Sequence, residues 1–289
     1  MSEALAAALG RPVAGEPETA VRGGCINDCF RWQTASGPVF VKRCALDRRW
    51  LLEAERDGLE RLRAAGAIRV PEVLAAGFAG DESFLVLEWL DLRPANDAAD
   101  ARLGTALARL HENRGSAFGL ERDNAIGATP QPNARCESWP DFWGERRLGY
   151  QLELAARNGY TGRLQDRGRR LLESISAFFV DYRPLPSLLH GDLWNGNRAM
   201  RADGTAVVFD PAVYYGDPEA DIAMTRLFGG FGPEFYAAYA AVRQLDAGAA
   251  TRRDLYNLYH VLNHLNLFGS GYRSQAESMI DRLLAAAGH

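Results

Sequence analysis

Two aspartates and an asparagine stand at spacings that suit phosphoryl transfer. Within residues 188–221, LLHGDLWNGNRAMRADGTAVVFDPAVYYGDPEAD, Asp192 and Asp210 each follow a short apolar run, and Asn197 lies five residues beyond Asp192. One carboxylate can orient an acceptor hydroxyl and take its proton, while the other, with an amide oxygen, can hold magnesium on nucleotide phosphates. The elements that must position them are predicted to be two strands, Ser187–Leu189 and Ala206–Phe209, flanking a turn at Ala202-Asp203-Gly204. A hairpin of this kind brings both carboxylates into one cleft. His-Gly-Asp alone, or Asp-Pro alone, is equally an ordinary turn. The two together at this separation carry the reading.

A chain of 289 residues has room for two lobes with their own cores or for one large domain. Its 47% hydrophobic and 24% charged residues are those of a globular protein, and a net charge of −4 gives no general attraction to nucleic acid or to an anionic membrane. No apolar run reaches the length of a membrane span, and the opening MSEALAAALG lacks a basic signal-like start. The expectation is a soluble, cytoplasmic protein with a small substrate, or a small adduct on a larger one, and with no nucleic-acid or membrane partner. Cys25, Cys29, Cys44 and Cys136 fit no zinc spacing and are expected to stay reduced. Cys25 lies in a Gly-rich turn whose amides can lower a thiol pKa. It reads either as a small packed residue or as a redox-active one, so the chain is expected to be a monomer or a redox-linked dimer.

The rest of the chain supplies a nucleotide side. Val21 to Trp32 reads as strand, Gly turn, strand, with Gly23, Gly24, Cys25 and Ile26 at the turn. Closely spaced glycines let backbone approach phosphate, although this is neither G-x-G-x-x-G nor a Walker loop. Pro38 to Arg43 is an apolar strand carrying Lys42, similar to the V-A-I-K strand whose lysine binds the α- and β-phosphates. Residues 48–65 have helical periodicity, and Glu55, rather than Glu53, is the expected partner of Lys42. Ser83 to Leu90 reads as a buried strand whose end, Glu88, Trp89 and Leu90, would offer backbone groups to adenine. Helices are expected at 3–9, 100–112, 139–158, 164–182, 218–228, 233–244, 251–268 and 273–286, with 124–133 as an ordered loop near the cleft.

The run His190-Gly191-Asp192-x-x-x-x-Asn197 parallels the H-R-D-x-x-x-x-N loop of protein kinases, with Gly in place of Arg, and Asp210 parallels the Asp of D-F-G. Further segments are Ile126-Gly127-x-Thr129-Pro130-Gln131-Pro132-Asn133, Trp139-x-x-Phe142-Trp143, Tyr215-Gly216-Asp217-x-Glu219-x-Asp221 and Leu262-Asn263-His264-x-Asn266-Leu267-Phe268-Gly269. Together they resemble the fructosamine kinase and ketosamine-3-kinase family, nearly end to end. The resemblance implies an α+β, protein-kinase-like two-lobed fold, with a small β-rich nucleotide-binding lobe over 1–90 and a larger helical lobe over 91–289. It implies ATP and Mg2+ as cofactors, Asp192 as base, Asn197 and Asp210 on the metal, and Lys42 with Glu55 on the phosphates. It places Trp194 beside the sugar, where an indole can pack on a C–H face. Trp194 could equally close the core of its lobe. His260 and His264, one helical turn apart, read as a packed or hydrogen-bonded pair at the rim of the acceptor pocket, with His264 as the substrate-side residue.

The reaction implied is phosphorylation of the 3-hydroxyl of a ketoamine, a small molecule or a glycated protein lysine. Enolisation of the ketone then expels the phosphate and frees the amine. Two other readings use the same residues: a small-molecule kinase of the aminoglycoside or choline kinase type, and a nucleotide-binding module without catalysis.

Overall fold

Alternation along one strand decides where the lysine points. In the computed structural model, which describes residues 1–21 and 27–288, strand β3 (Gly37–Ala45) buries Val39 and Val41 on one face of a sheet, and turns Phe40, Lys42 and Cys44 to the other. The first face packs on helix α1 (Ser2–Leu9) through Leu5, with Trp32, Phe84 and Val86 beside it. The second faces helix α2 (Arg49–Ala65). The sheet is antiparallel in the order β1 (Thr19–Ala20), β2 (Asp28–Thr34), β3, β5 (Glu82–Glu88), β4 (Val73–Ala79). Being covered on both faces, β5 is apolar without alternation from Phe84 to Leu87. The calls on Gly23, Gly24, Cys25 and Ile26 lie outside the described residues.

Helix α2 buries Leu52, Glu55, Leu59 and Leu62, a stripe at i, i+3, i+7, i+10, so Glu55 is set among leucines while Glu53 is exposed. The same leucines join Leu103 and Leu107 of α3 (Asp97–Leu110), together with Leu188 and Leu193, in one apolar cluster. The β-rich and helical parts therefore share a core at their junction.

Beyond β6 (Leu92–Arg93) and α3 the chain is mostly helical. The segment at 124–133, expected as a loop, contains a short hairpin, β7 (Asn124–Ile126) with β8 (Thr129–Gln131). The helix expected over 139–158 runs as α4 (Trp139–Phe142), a π turn at Trp143–Gly149 and α5 (Tyr150–Arg157). The helix expected over 164–182 stops early. Its first part is α6 (Arg163–Glu173), after which Ser174 Oγ donates to Arg170 O at 2.8 Å, and Ile175–Phe179 form a 3-10 turn that drives Ile175, Phe178 and Phe179 into the core.

The strand pairing around residues 187–216 corrects the predicted hairpin. Strand β9 (Ser187–Leu189) pairs with β12 (Tyr214–Gly216), whereas the turn at 202–204 joins β10 (Arg198–Arg201) to β11 (Ala206–Val208). Strand β10 is Arg-Ala-Met-Arg and hides from a search for apolar runs. Arg198 is nonetheless buried, because its guanidinium pairs with Asp100 and lies over the Phe231 ring at 4.1 Å. Helices α7 (Pro218–Leu227), α8 (Pro233–Val242), α9 (Ala249–Phe268) and α10 (Arg273–Ala286) complete the chain. Among the described residues no helix is long and apolar enough to cross a membrane.

Gly104 lets α3 and α8 touch backbone to backbone, since a Cβ there would lie 2.1 Å from Phe235 O. Gly104→Ala is expected to lower the unfolding free energy by about 1–3 kcal/mol despite alanine's better helix propensity. Urea denaturation checks it, and an unchanged or raised midpoint would sink the packing argument.

Candidate active site

The cleft between the sheet and the helical part is built around one buried ammonium. Lys42 Nζ donates to Glu55 Oε1 at 2.7 Å and also contacts Asp210 Oδ1. Asp210, just past β11, has φ of 55°, the left-handed region that non-glycine residues rarely occupy. Burial pushes Glu55 up to about 7 against the pull of Lys42. Asp210 also pays for burial, but the Lys42 ammonium outweighs that and holds it below the usual carboxylate range.

Asp192 and Asn197 reach the same cleft from the loop after β9. The Asn197 amide nitrogen donates to Asp192 O at 2.9 Å, to Asp192 Oδ2 at 3.1 Å and to Asp210 O at 3.4 Å. That leaves the amide oxygen as the half able to face a cation. Burial, then the neighbouring charge of Asp210, raises Asp192 to about 7, and the Asn197 hydrogen bond only partly offsets them. The loop is held from behind by Asp221, which accepts from His190 N and Gly191 N, both at 2.8 Å, and pairs with His111 Nε2 at 3.2 Å. Gly191 has φ of 81°, and a Cβ there would sit 2.0 Å from Ala212 O. No larger residue fits between the two halves of the site.

Two cavities share Lys42, Asp210 and Cys29. One, about 530 Å³, is walled by Phe40, Leu87, Glu88, Trp89 and Leu90, a size and apolar character that suit a nucleoside. The Glu88 carboxylate is committed to Arg69 and to Glu72 N, and Trp89 Nε1 donates to Asp91 at 2.9 Å, so this edge offers mainly backbone. The other cavity, about 200 Å³, holds Asp192, Trp194, His260, His264 and Phe268. Trp194 is 38% exposed and does not close a core. Its ring meets Phe228 edge-on at 5.9 Å, and Phe228 in turn packs on His264 at 5.0 Å. Burial raises the Cys29 thiol to about 11, so it stays protonated where the cavities meet.

A buried network that motif spacing could not place fixes the chain just past Asp210. Gln131 Nε2 donates to Asn124 Oδ1 at 2.8 Å and to Ala212 O at 3.1 Å, and Asn124 Nδ2 donates to Val213 O at 2.7 Å. Tyr259 Oη donates to Gln131 Oε1 at 2.7 Å. Arg147, fully buried, donates to Pro132 O at 2.6 Å and Asn133 Oδ1 at 2.8 Å while stacked over Tyr214 at 4.0 Å. Asp217, Glu219 and Asp221 are likewise committed inside the protein. Asp217 caps α7 and accepts from Tyr182 and Tyr256, Glu219 takes a two-pronged bond from Arg252, and none of the three lines the smaller cavity.

With the ammonium, the aspartates and the two cavities in this order, the fold falls in the protein-kinase-like class of phosphotransferases. The model of the family described as fructosamine kinase matches residues 1–286. The probable ketoamine kinase of Synechocystis sp. is 43% identical over 285 residues, covering 98% of this chain and 96% of its own. The chloroplastic protein-ribulosamine 3-kinase of Arabidopsis thaliana is 43% identical over 267 residues, covering 91% of this chain and 81% of its own. A crystal structure of a protein assigned as a fructosamine-3-kinase from Haemophilus somnus superimposes with a TM-score of 0.88 at 30% identity, covering 98% of this chain and 96% of that one. An ADP-bound aminoglycoside phosphotransferase, at 17% identity and a TM-score of 0.60, shares the fold alone. The chain belongs to the fructosamine kinase family and is an ATP-dependent phosphotransferase.

The raised pKa of Asp192 sets a stability test. Between the ordinary carboxylate range, near 3.8, and about 7 the unfolded chain releases this proton and the native protein keeps it. Stability contributed by the proton is therefore lost as pH rises through that window. Asp192→Asn removes the group that must ionise in the fold. Its melting temperature relative to wild type is expected to climb from pH 5 to pH 8 and level off above, as differential scanning fluorimetry would show. A pH-independent difference would mean that Asp192 titrates normally.

Proposed function

We propose that this chain transfers the γ-phosphoryl group of ATP to the 3-hydroxyl of ketoamines, carried on small amines or on protein lysines, and so starts their deglycation. The observation that carries this reading is one cavity lined at once by Asp192, by Trp194 and His264, and by the Lys42–Asp210 pair. Relatives named ketoamine kinase and protein-ribulosamine 3-kinase support the acceptor class. Residues 1–90 form the nucleotide-binding lobe in this reading, and 91–289 the lobe that supplies the loop and acceptor site.

Asp192 orients the 3-hydroxyl and takes its proton as the O3–Pγ bond forms and the bond from Pγ to the β-phosphate oxygen breaks. Lys42, fixed by Glu55, neutralises the α- and β-phosphates, and backbone of residues 88–90 meets adenine. The Asp210 carboxylate and the Asn197 amide oxygen are hard donors of the kind magnesium prefers, in a cleft where Glu55 and Asp210 pair with a single ammonium and Asp192 adds a third carboxylate. Bound there, magnesium would take up charge on the phosphate oxygens. Trp194 packs against the sugar and His264 meets its hydroxyls. Once the 3-phosphate is made, proton loss from C1 gives an enaminol whose electrons expel phosphate from C3. Hydrolysis of the resulting imine then releases the amine and a 3-deoxy dicarbonyl sugar.

Phosphate incorporation from ATP is expected with ribulose-lysine and fructose-lysine, not with kanamycin or choline, and is expected to fall by at least about 10³-fold in Asp192→Ala. Turnover of only the antibiotic or the amino alcohol would overturn the acceptor assignment and leave the kinase fold. Because the base must be ionised, kcat/KM should fall as pH drops through about 7 or somewhat below. The limb sits lower where a bound cation offsets the Asp210 charge. A rate flat from pH 5 to 8 would remove Asp192 from the role of base.

A further inference from the structure

Helix α9 presents two imidazoles to the acceptor cavity, with one nitrogen on His264 and two on His260 unpartnered among the described residues. His264 Nδ1 lies 2.8 Å from His260 O, and a carbonyl can only accept, so Nδ1 carries the proton and Nε2 is a bare acceptor. His260 is arranged the other way. Its Nδ1 is sealed from solvent without a hydrogen-bond partner. A buried lone pair is better tolerated there than a buried unpaired N–H, so the proton belongs on Nε2. Both rings are neutral. Burial and the neighbouring His264 push His260 down to about 3, and burial lowers His264 as well.

The polar side chain between them is spent. Asn263 Oδ1 accepts from Gln151 Nε2 at 3.2 Å, and its amide nitrogen donates to Ile126 O at 3.4 Å. Neither histidine's Nε2 has a hydrogen-bond partner among the described residues, and both rings line the cavity that contains Asp192. One turn of helix separates them, which brings their Cβ atoms within about 6 Å.

We propose that His260 and His264 act as a matched donor and acceptor that read two neighbouring oxygens of the sugar, with His260 Nε2–H as the donor that sets specificity. The inference rests on the ketoamine reading and adds that the acceptor is chosen by its hydroxyl pattern beyond the reacting carbon. His260 is thus a specificity residue touching substrate, and the base remains Asp192.

The test compares ribulose-lysine with its 4-deoxy and 5-deoxy counterparts in wild type and His260→Phe. Wild type is expected to lose about ten-fold or more in kcat/KM on one of the deoxy acceptors, because a buried donor is then left unpaired. His260→Phe should lose a similar factor on ribulose-lysine and no longer distinguish it from that analogue. The thermal shift induced by ADP reports that the variant is folded. On wild-type protein labelled with 15N-histidine, the two rings should appear as opposite tautomers, Nε2–H for His260 and Nδ1–H for His264, with both Nε2 signals moved by ribulose-lysine. Equal tautomers, or an equal loss by His260→Phe on all three acceptors, overturns the proposal. If wild type turns over no ketoamine, the acceptor reading has failed and takes this inference with it, an outcome distinct from the other two.

Discussion

The buried ammonium of Lys42 is the interaction on which the rest of the site depends. It adds a charged tie to three elements that already share an apolar cluster: strand β3, the stripe of α2 through Glu55, and the turn after β11 through Asp210. Removing Lys42 would leave Glu55 buried without its counterion, and breaking a buried pair in this way costs about 3–5 kcal/mol. Two carboxylates on one ammonium also leave the cleft with excess negative charge once Asp192 is added. A cleft with that balance is suited to receive a cation together with polyphosphate.

A second set of constraints keeps the loop of Asp192 in register with Asp210. Asp221 bonds the two amides just before Asp192. Gln131 and Asn124 bond the two carbonyls just after Pro211. His190 O accepts from Ala212 N at 2.9 Å, tying one side to the other. These groups are buried and satisfied, so each contributes through the cost of leaving its partner unpaired as much as through its own bond. The segment at 129–133 is therefore a brace beneath the chain that carries Asp210. The smaller cavity, by contrast, keeps unpaired histidine nitrogens and the exposed rings of Trp194 and Phe268, features of a surface that a ligand can cover.

Legibility in the sequence followed the range of the interaction. Lys42 could be assigned to one face of a strand and Glu55 to the buried stripe of a helix, because those periods are local and each residue is read against neighbours two to four positions away. Strand β10 was missed because Arg198 looks like a surface residue. Only Asp100 and Phe231, far off in the chain, make its burial tolerable. The expected partner of β9 was wrong for a similar reason. Several short apolar runs in this region could pair with it, and hydrophobic pattern alone does not choose among them. The break after α6 was also hidden, since the helical period of 164–182 continues through the residues that the core pulls into a 3-10 turn.

The sequence by itself determined the types and spacing of the candidate site residues, the family and the faces on which Lys42 and Glu55 lie. These are properties of composition and of local backbone geometry, which any fold of this chain must respect. Tertiary structure alone decided which strand pairs with which and which buried polar groups find partners. It also decided that burial and Asp210 raise Asp192 to about 7, and which nitrogens of His260 and His264 find a partner inside the protein. Those depend on burial and on partners brought together from distant positions, and neither has a period that can be read along the chain.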